Sequence, residues 1–204
     1  NNPEHPDEDE IGKGSRRYDD EIQSLFIAIS VLIRKLRETL NKQRRSENNL
    51  RRLADTDPLT GLFNRRAFFE NAEALLNENA SFTLLAFDID HFKSVNDTYG
   101  HDVGDTAIIA VAKAAQAELR ATDMLARVGG EEFAILLPGA SGTVGVQAAM
   151  RIRHRVATTC DLADVEPPRR ITVSIGVAEY TPDTPIAFEE LMRQADAALY
   201  EAKN

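Results

Sequence analysis

The chain has 204 residues, a net charge of −9 at neutral pH and a single cysteine, Cys160. That length suits one domain of about 150 residues plus an extension. One thiol excludes an internal disulfide and fits a reducing compartment. From Leu53 onward 13 Lys/Arg face 23 Asp/Glu, which argues against sequence-independent binding of a DNA or RNA polymer, since that takes a basic face.

The first 17 residues are acidic, carry Pro and Gly and lack periodicity, as a disordered tail does. Between Tyr18 and Ala54 there is neither Pro nor Gly, and a heptad can be written. Its a positions are Ile22, Ile29, Leu36, Gln43 and Leu50, and its d positions are Leu25, Leu32, Thr39, Ser46 and Leu53. A helix of about 35 residues is roughly 50 Å long and has too little of its own chain to pack against. Residues 18–54 are therefore expected to form a coiled-coil homodimer; a single solvated helix, or one packed on another domain, is the alternative. The polar middle of the seam, Thr39, Gln43 and Ser46, would allow register slip and signal transmission, or merely be tolerated. The basic run Arg34–Arg52 reads as a solvated helix face rather than a lipid or phosphate site. The apolar run Leu25–Ile33 is shorter than the roughly 20 residues that cross a bilayer.

Residues 55–204 read as the globular domain. The pattern predicts a helix over Arg65–Leu76, a buried strand Phe82–Ile89, a short helical turn after Asp90 and a helix over Val103–Leu119. A hairpin follows, Met124–Val128 and Glu132–Leu137, with Gly129-Gly130 as its turn. Then come a helix Gly145–Thr158, a strand Ile171–Glu179 and a final helix Ala187–Lys203. Strands alternating with helices but including a hairpin imply an α/β fold with a palm-like or ferredoxin-like mixed sheet flanked by helices. Asp88 and Asp90 end one apolar strand, and Glu131 and Glu132 follow the two glycines. Carboxylates at the tips of buried strands are costly unless a cation or hydrogen bonds compensate them. A pair of Mg²⁺ ions holding a nucleoside triphosphate would do so.

Ordered motifs extend this. They are Asp57-Pro-Leu-Thr-Gly-Leu-Phe-Asn-Arg-Arg66, Phe87-Asp-Ile-Asp-His-Phe-Lys93, Asn96-Asp97, Gly100-His-Asp-Val-Gly-Asp105, Gly129-Gly-Glu-Glu-Phe133, Thr172-Val-Ser-Ile-Gly-Val177 and the stretch Ala195–Lys203. Together they resemble the GGDEF-domain diguanylate cyclases, here in a Gly-Gly-Glu-Glu-Phe form, across Asp57–Lys203. The resemblance implies a bacterial, cytoplasmic enzyme that condenses two GTP into cyclic di-GMP. A sensor domain, and in the full-length protein a membrane anchor, are expected before Asn1.

The resemblance also implies roles. Asp88, Glu131 and the Ile89 carbonyl would hold two Mg²⁺ (Mn²⁺ being an alternative), with strand-end capping the other account of Asp88. Glu132 would help deprotonate the attacking 3′-hydroxyl or join the metal sphere, and Gly129 and Gly130 would leave room for ribose and α-phosphate. Asn96 and Asp105 would read guanine, because Asp accepts from the N1–H and N2–H donors that adenine lacks. Helix capping by Asp105 and a turn role for Asn96 are the plain alternatives. Phe92 and Lys93, through amides and charge, and Lys203 would meet the phosphates. For Asp90, capping the short helix at His91–Val95 is the favoured account. Arg127 is expected to form an ion pair within the fold, and Asp57–Arg66 to pack Leu59, Leu62 and Phe63. Each domain would hold one GTP, so two must face each other, and the N-terminal helix would supply that proximity. Arg120-Ala-Thr-Asp123 matches the family's inhibitory Arg-x-x-Asp motif, where cyclic di-GMP would bind as feedback inhibitor with Arg151 as a supporting contact; surface ion pairs are the alternative. The family continues beyond Lys203 with a Gly-Arg-Asn type tail, so activity without that segment is in question. A catalytically inactive GTP or cyclic di-GMP sensor is the rival function.

Overall fold

The computed structural model describes residues 29, 31–43, 54–162, 166 and 168–203. The chain divides into two compact units, Asn1–Arg52 and Leu53–Asn204. In the first, residues 31–43 are helical (α1). The seam residues Ile29, Leu32 and Leu36 are exposed there. Thr39, at a polar d position, donates its hydroxyl to the Lys35 carbonyl (2.9 Å), so its own helix satisfies it. The seam positions Ile22, Leu25, Ser46, Leu50 and Leu53, and the acidic tail, lie outside the described residues.

In the second unit the chain runs β1 (Phe63–Asn64), α2 (Arg65–Asn77), β2 (Phe82–Ile89), α3 (Phe92–Tyr99), α4 (His101–Gln116), β3 (Met124–Arg127) and β4 (Glu132–Pro138). It continues through α5 (Gly142–Thr159), β5 (Asp161–Leu162), β6 (Arg169–Arg170), β7 (Val173–Tyr180) and α6 (Phe188–Lys203). Five strands form a mixed sheet in the order β1-β3-β4-β2-β7. β1 runs parallel to β3 and the other pairs are antiparallel. Every residue of the inner strand β2 is buried, and strand alternation divides them between two faces. Leu85, Phe87 and Ile89 join α3, α4 and α5 in one core. Phe82, Leu84 and Ala86 join α2 and α6 in the other. The sheet is therefore the middle layer of a helix–sheet–helix sandwich, as a strand apolar on both sides requires.

The structure departs from the sequence-based reading in several places, and α4 and α5 begin at His101 and Gly142, ahead of the expected Val103 and Gly145. The segment after Asp90 is an eight-residue helix, not a brief turn. The last strand begins at Val173 rather than Ile171, because Ile171 donates its N–H to the Cys160 carbonyl (3.0 Å). The short strands β1 and the β5–β6 pair carry too few residues for any period to be read. Phe63 does not pack inward as expected; it is 38% exposed, while Leu62 is buried.

Candidate active site

The catalytic candidates gather where β2 ends and β4 and β7 begin. Asp88 pairs across the ladder with Glu132 on one side and Ser174 on the other. Strand alternation turns it to the same face as Leu84 and Ala86, the α6 side. Only 9% of Asp88 is exposed. One carboxylate oxygen, Oδ2, is bonded to the Lys203 ammonium at the end of α6. The other, Oδ1, is buried without a hydrogen-bond partner. A buried carboxylate with an idle oxygen is costly and suits a cation. Among the described residues no three His, Cys, Asp or Glu side chains cluster into an all-protein cage. Mg²⁺ commonly takes one or two carboxylates and completes its shell with water and phosphate. The idle Asp88 oxygen thus suits a metal that arrives with a nucleotide.

Gly129 and Gly130 join β3 to β4, and neither adopts a left-handed φ. The turn therefore does not demand glycine for its backbone angles; at Gly129 the room a side chain would take is filled by Glu132. A Cβ on Gly129 would lie 2.0 Å from Glu132 Oε2, so the Glu132 carboxylate folds back over that glycine, while nothing lies within 4 Å of a Cβ on Gly130. The turn is braced from outside. Arg127 donates from Nε and Nη2 to the Gly130 carbonyl (3.0 and 2.7 Å) and from Nη1 to both Asp57 oxygens (3.2 Å each). Both partners are largely buried, with side chains 15% and 16% exposed. Burial alone would raise the Asp57 pKa; the Thr60 hydroxyl and amide, together with Arg127, outweigh it and hold the carboxyl below the usual range. The ion pair expected of Arg127 is present, and its partner belongs to the conspicuous Asp57–Arg66 stretch. That stretch also ties the residues just before it, Ala54 and Asp55, to the start of α2. Asn64 caps α2 by accepting from Ala67 N and donates to the Ala54 carbonyl (2.6 Å). Arg66 donates to that same carbonyl and pairs with Asp55 and Glu70.

Asp90 does not cap α3. The residue ahead of that helix is His91, whose left-handed backbone (φ 56°) makes the sharp exit from β2 and whose side chain caps nothing. Asp90 instead accepts from the hydroxyls of Thr172 (2.6 Å) and Ser174 (2.7 Å), and its N–H donates to the Thr172 carbonyl. It clips β7 to the end of β2. Both hydroxyls belong to the Thr172–Val177 motif, but their pairing with Asp90, across more than 80 residues, leaves no local sequence signal.

Phe92 and Lys93 open α3, where helix N–H groups lack intrahelical partners. The Phe92 ring is buried and Lys93 is exposed. Asn96 lies inside α3, not in a turn, and its Oδ1 is buried without a partner. It rests against Gly104 of α4, and the next residue, Asp105, is exposed in the second turn of that helix. The position ahead of α4 is Gly100, so Asp105 is no cap. The plain alternatives for both residues fall away.

Away from this end, a cleft of about 380 Å³ is lined by Arg120, Asp123, Gln116, Thr56, Gly61 and Phe63, among others. Asp123 accepts from the Arg120 backbone N–H (2.8 Å), so the two side chains are not an ion pair with one another. Arg151 lies against Glu118 (3.5 Å), a carboxylate it shares with Arg155. For Arg151 the surface ion pair weighed from the sequence is what is observed.

The family described as "Diguanylate cyclase, GGDEF domain" matches residues 54–204. The probable diguanylate cyclase DgcC of Escherichia coli K12 is 37% identical over 173 residues, which cover 81% of this chain and 45% of that protein. The probable diguanylate cyclase DgcT of the same strain is 42% identical over 154 residues, covering 74% of this chain and 34% of that protein. The chain thus spans less than half the length of these curated relatives. Among solved structures, the coiled coil and GGDEF domain of DgcB from Caulobacter crescentus, in complex with c-di-GMP, aligns with a TM-score of 0.72 at 33% identity. It covers 86% of this chain and 94% of that one. The diguanylate cyclase SiaD from Pseudomonas aeruginosa, solved with its activator SiaC, aligns with a TM-score of 0.70 at 30% identity, covering 96% and 80%. Sheet order, paired acids on neighbouring strand ends and these likenesses agree: the chain belongs to the diguanylate cyclase GGDEF-domain family.

Proposed function

We propose that this chain is a diguanylate cyclase that joins two GTP into cyclic di-GMP with release of pyrophosphate. The observation that carries this is Asp88: a buried carboxylate with one idle oxygen, cross-strand from Glu132 and next to the start of α3. Two Mg²⁺ (or Mn²⁺) held by Asp88, Glu131 and the Ile89 carbonyl would supply charge neutralisation and Lewis acidity at the α-phosphate. The chain's own groups do the rest. Asn96 and Asp105 grip the guanine edge, the first amides of α3 and Lys93 receive phosphate oxygens, and Lys203 moves from Asp88 to phosphate. Glu132, folded beside the hairpin turn, accepts the proton of the attacking 3′-hydroxyl. The Gly130 carbonyl, held by Arg127, keeps the turn open for the ribose.

One domain holds one GTP, and the second comes from another copy. The seam residues Ile29, Leu32 and Leu36, apolar and exposed in the single chain, support the dimerisation proposed for residues 18–54. Joining two copies raises the effective concentration of one site at the other. The Arg120–Asp123 cleft, with a guanidinium that makes no side-chain bond to Asp123, suits the guanine or phosphate of the product as feedback inhibitor. Arg151 would join it only after leaving Glu118. Purified protein with GTP and Mg²⁺, products resolved by mass-coupled chromatography, tests the proposal beside Asp88→Ala. Cyclic di-GMP from the parent and none from the variant is the expected outcome. GTP bound but unconverted would favour the sensor instead.

A further inference from the structure

Gly104 is the fourth residue of α4, inside the helix, where alanine is the better helix former. Its backbone is not left-handed, so no conformational demand calls for glycine. The space does. A Cβ there would lie 1.9 Å from Asn96 Oδ1, 3.1 Å from Asn96 Cγ and 3.2 Å from Phe92 Cζ. The Asn96 carboxamide, reaching across from α3, fills the room a side chain would take. Its Oδ1 is buried there with no hydrogen-bond partner, a state native structures seldom leave unexplained.

With Asn96 taken as a base contact, as proposed above, we propose that Gly104 is a positioning residue for base selection. Its missing side chain seats the Asn96 carboxamide beside Asp105, so that both present to one purine edge. The ligand class is a base that offers a pair of N–H donors to Asp105 and an acceptor to the Asn96 amide nitrogen, guanine rather than adenine. Asp105 is exposed on the following residue, so a methyl at 104 acts on the carboxamide and leaves the carboxylate in place. The intruded atom is the tip of a flexible side chain, so the methyl displaces Asn96 rather than the helix.

The test is calorimetric titration of the full chain with 3′-deoxy-GTP and 3′-deoxy-ATP, which lack the attacking hydroxyl, in Mg²⁺. The variants are Gly104→Ala, Asn96→Ala and the double substitution. Gly104→Ala is expected to weaken 3′-deoxy-GTP at least tenfold, to leave 3′-deoxy-ATP within twofold, and to keep the thermal midpoint. On the Asn96→Ala background the same methyl is expected to change guanine affinity less than twofold. Parent protein selective for guanine, with Gly104→Ala binding like it or the methyl costing as much without Asn96, overturns the assignment of Gly104 alone. Parent protein with no guanine preference overturns it together with the role of Asn96. If Gly104→Ala does not fold, the double variant decides: its recovery upholds the carboxamide seat, and its failure shows a purely structural glycine.

Discussion

Replacing Arg127 with Met should cost more than replacing Asp57 with Asn, because Arg127 serves two partners and Asp57 is only one of them. A hydrogen bond to a charged group contributes about 1.5–3 kcal/mol net. Asp57→Asn keeps an acceptor for the Thr60 amide and weakens the Arg127 contact, so a loss of about 1.5–2 kcal/mol is expected. Arg127→Met removes both contacts and leaves a largely buried carboxylate short of its cation, a loss of about 3–4 kcal/mol. In the double variant the shared contact is lost once, so the coupling should be about 1.5 kcal/mol. Urea unfolding at pH 7, with the denaturant slope checked for each protein, measures all three losses. The Asp57 carboxyl titrates below its ordinary value in the fold. Its contribution is therefore complete above the unfolded pKa, near 4, and lost as pH falls through the lower folded value. Arg127→Met no costlier than Asp57→Asn, or a coupling under about 0.5 kcal/mol at pH 7, would refute the two-partner account.

Lys203→Ala leaves Asp88 without its cation. With Lys203 40% exposed, solvent screening limits the stability loss to roughly 1 kcal/mol, and Mn²⁺ without nucleotide should raise the thermal midpoint more in the variant than in the parent. Asp90→Ala removes the acceptor for two hydroxyls between β2 and β7 and should cost about 1–3 kcal/mol in urea unfolding, while reducing product yield less than Asp88→Ala. Cys160 is buried and its thiol pKa is raised, chiefly by desolvation and further by Asp161, against a lowering by the Thr159 hydroxyl. It should react with a thiol-directed disulfide reagent only after denaturation. Because the unfolded thiol ionises first, stability should fall as pH rises past about 9, and Cys160→Ala should flatten that limb.

The amino-acid sequence by itself settled the alternation of elements, the full span of β2 and the family, since these rest on local periodicity and on motifs continuous along the chain. A strand apolar on both faces apart from Thr83 and Asp88, Phe82–Ile89, points to an inner strand of a two-faced sheet, and two acids beside Gly129-Gly130 point to a strand end. The tertiary structure alone decided what each polar group touches. Asp90 looked like a helix cap because the next residues are helical; Thr172 and Ser174, distant in sequence, claimed it instead. Arg127 found Asp57 across 70 residues, and Lys203 reached Asp88 because strand alternation turned that carboxylate toward α6. Gly104 carried no visible reason until α3 and α4 met and the Asn96 carboxamide filled its missing side chain. Periodicity is a property of neighbours in the chain, whereas a hydrogen bond or a steric vacancy belongs to neighbours in space, and only the packed sheet and helices bring those together.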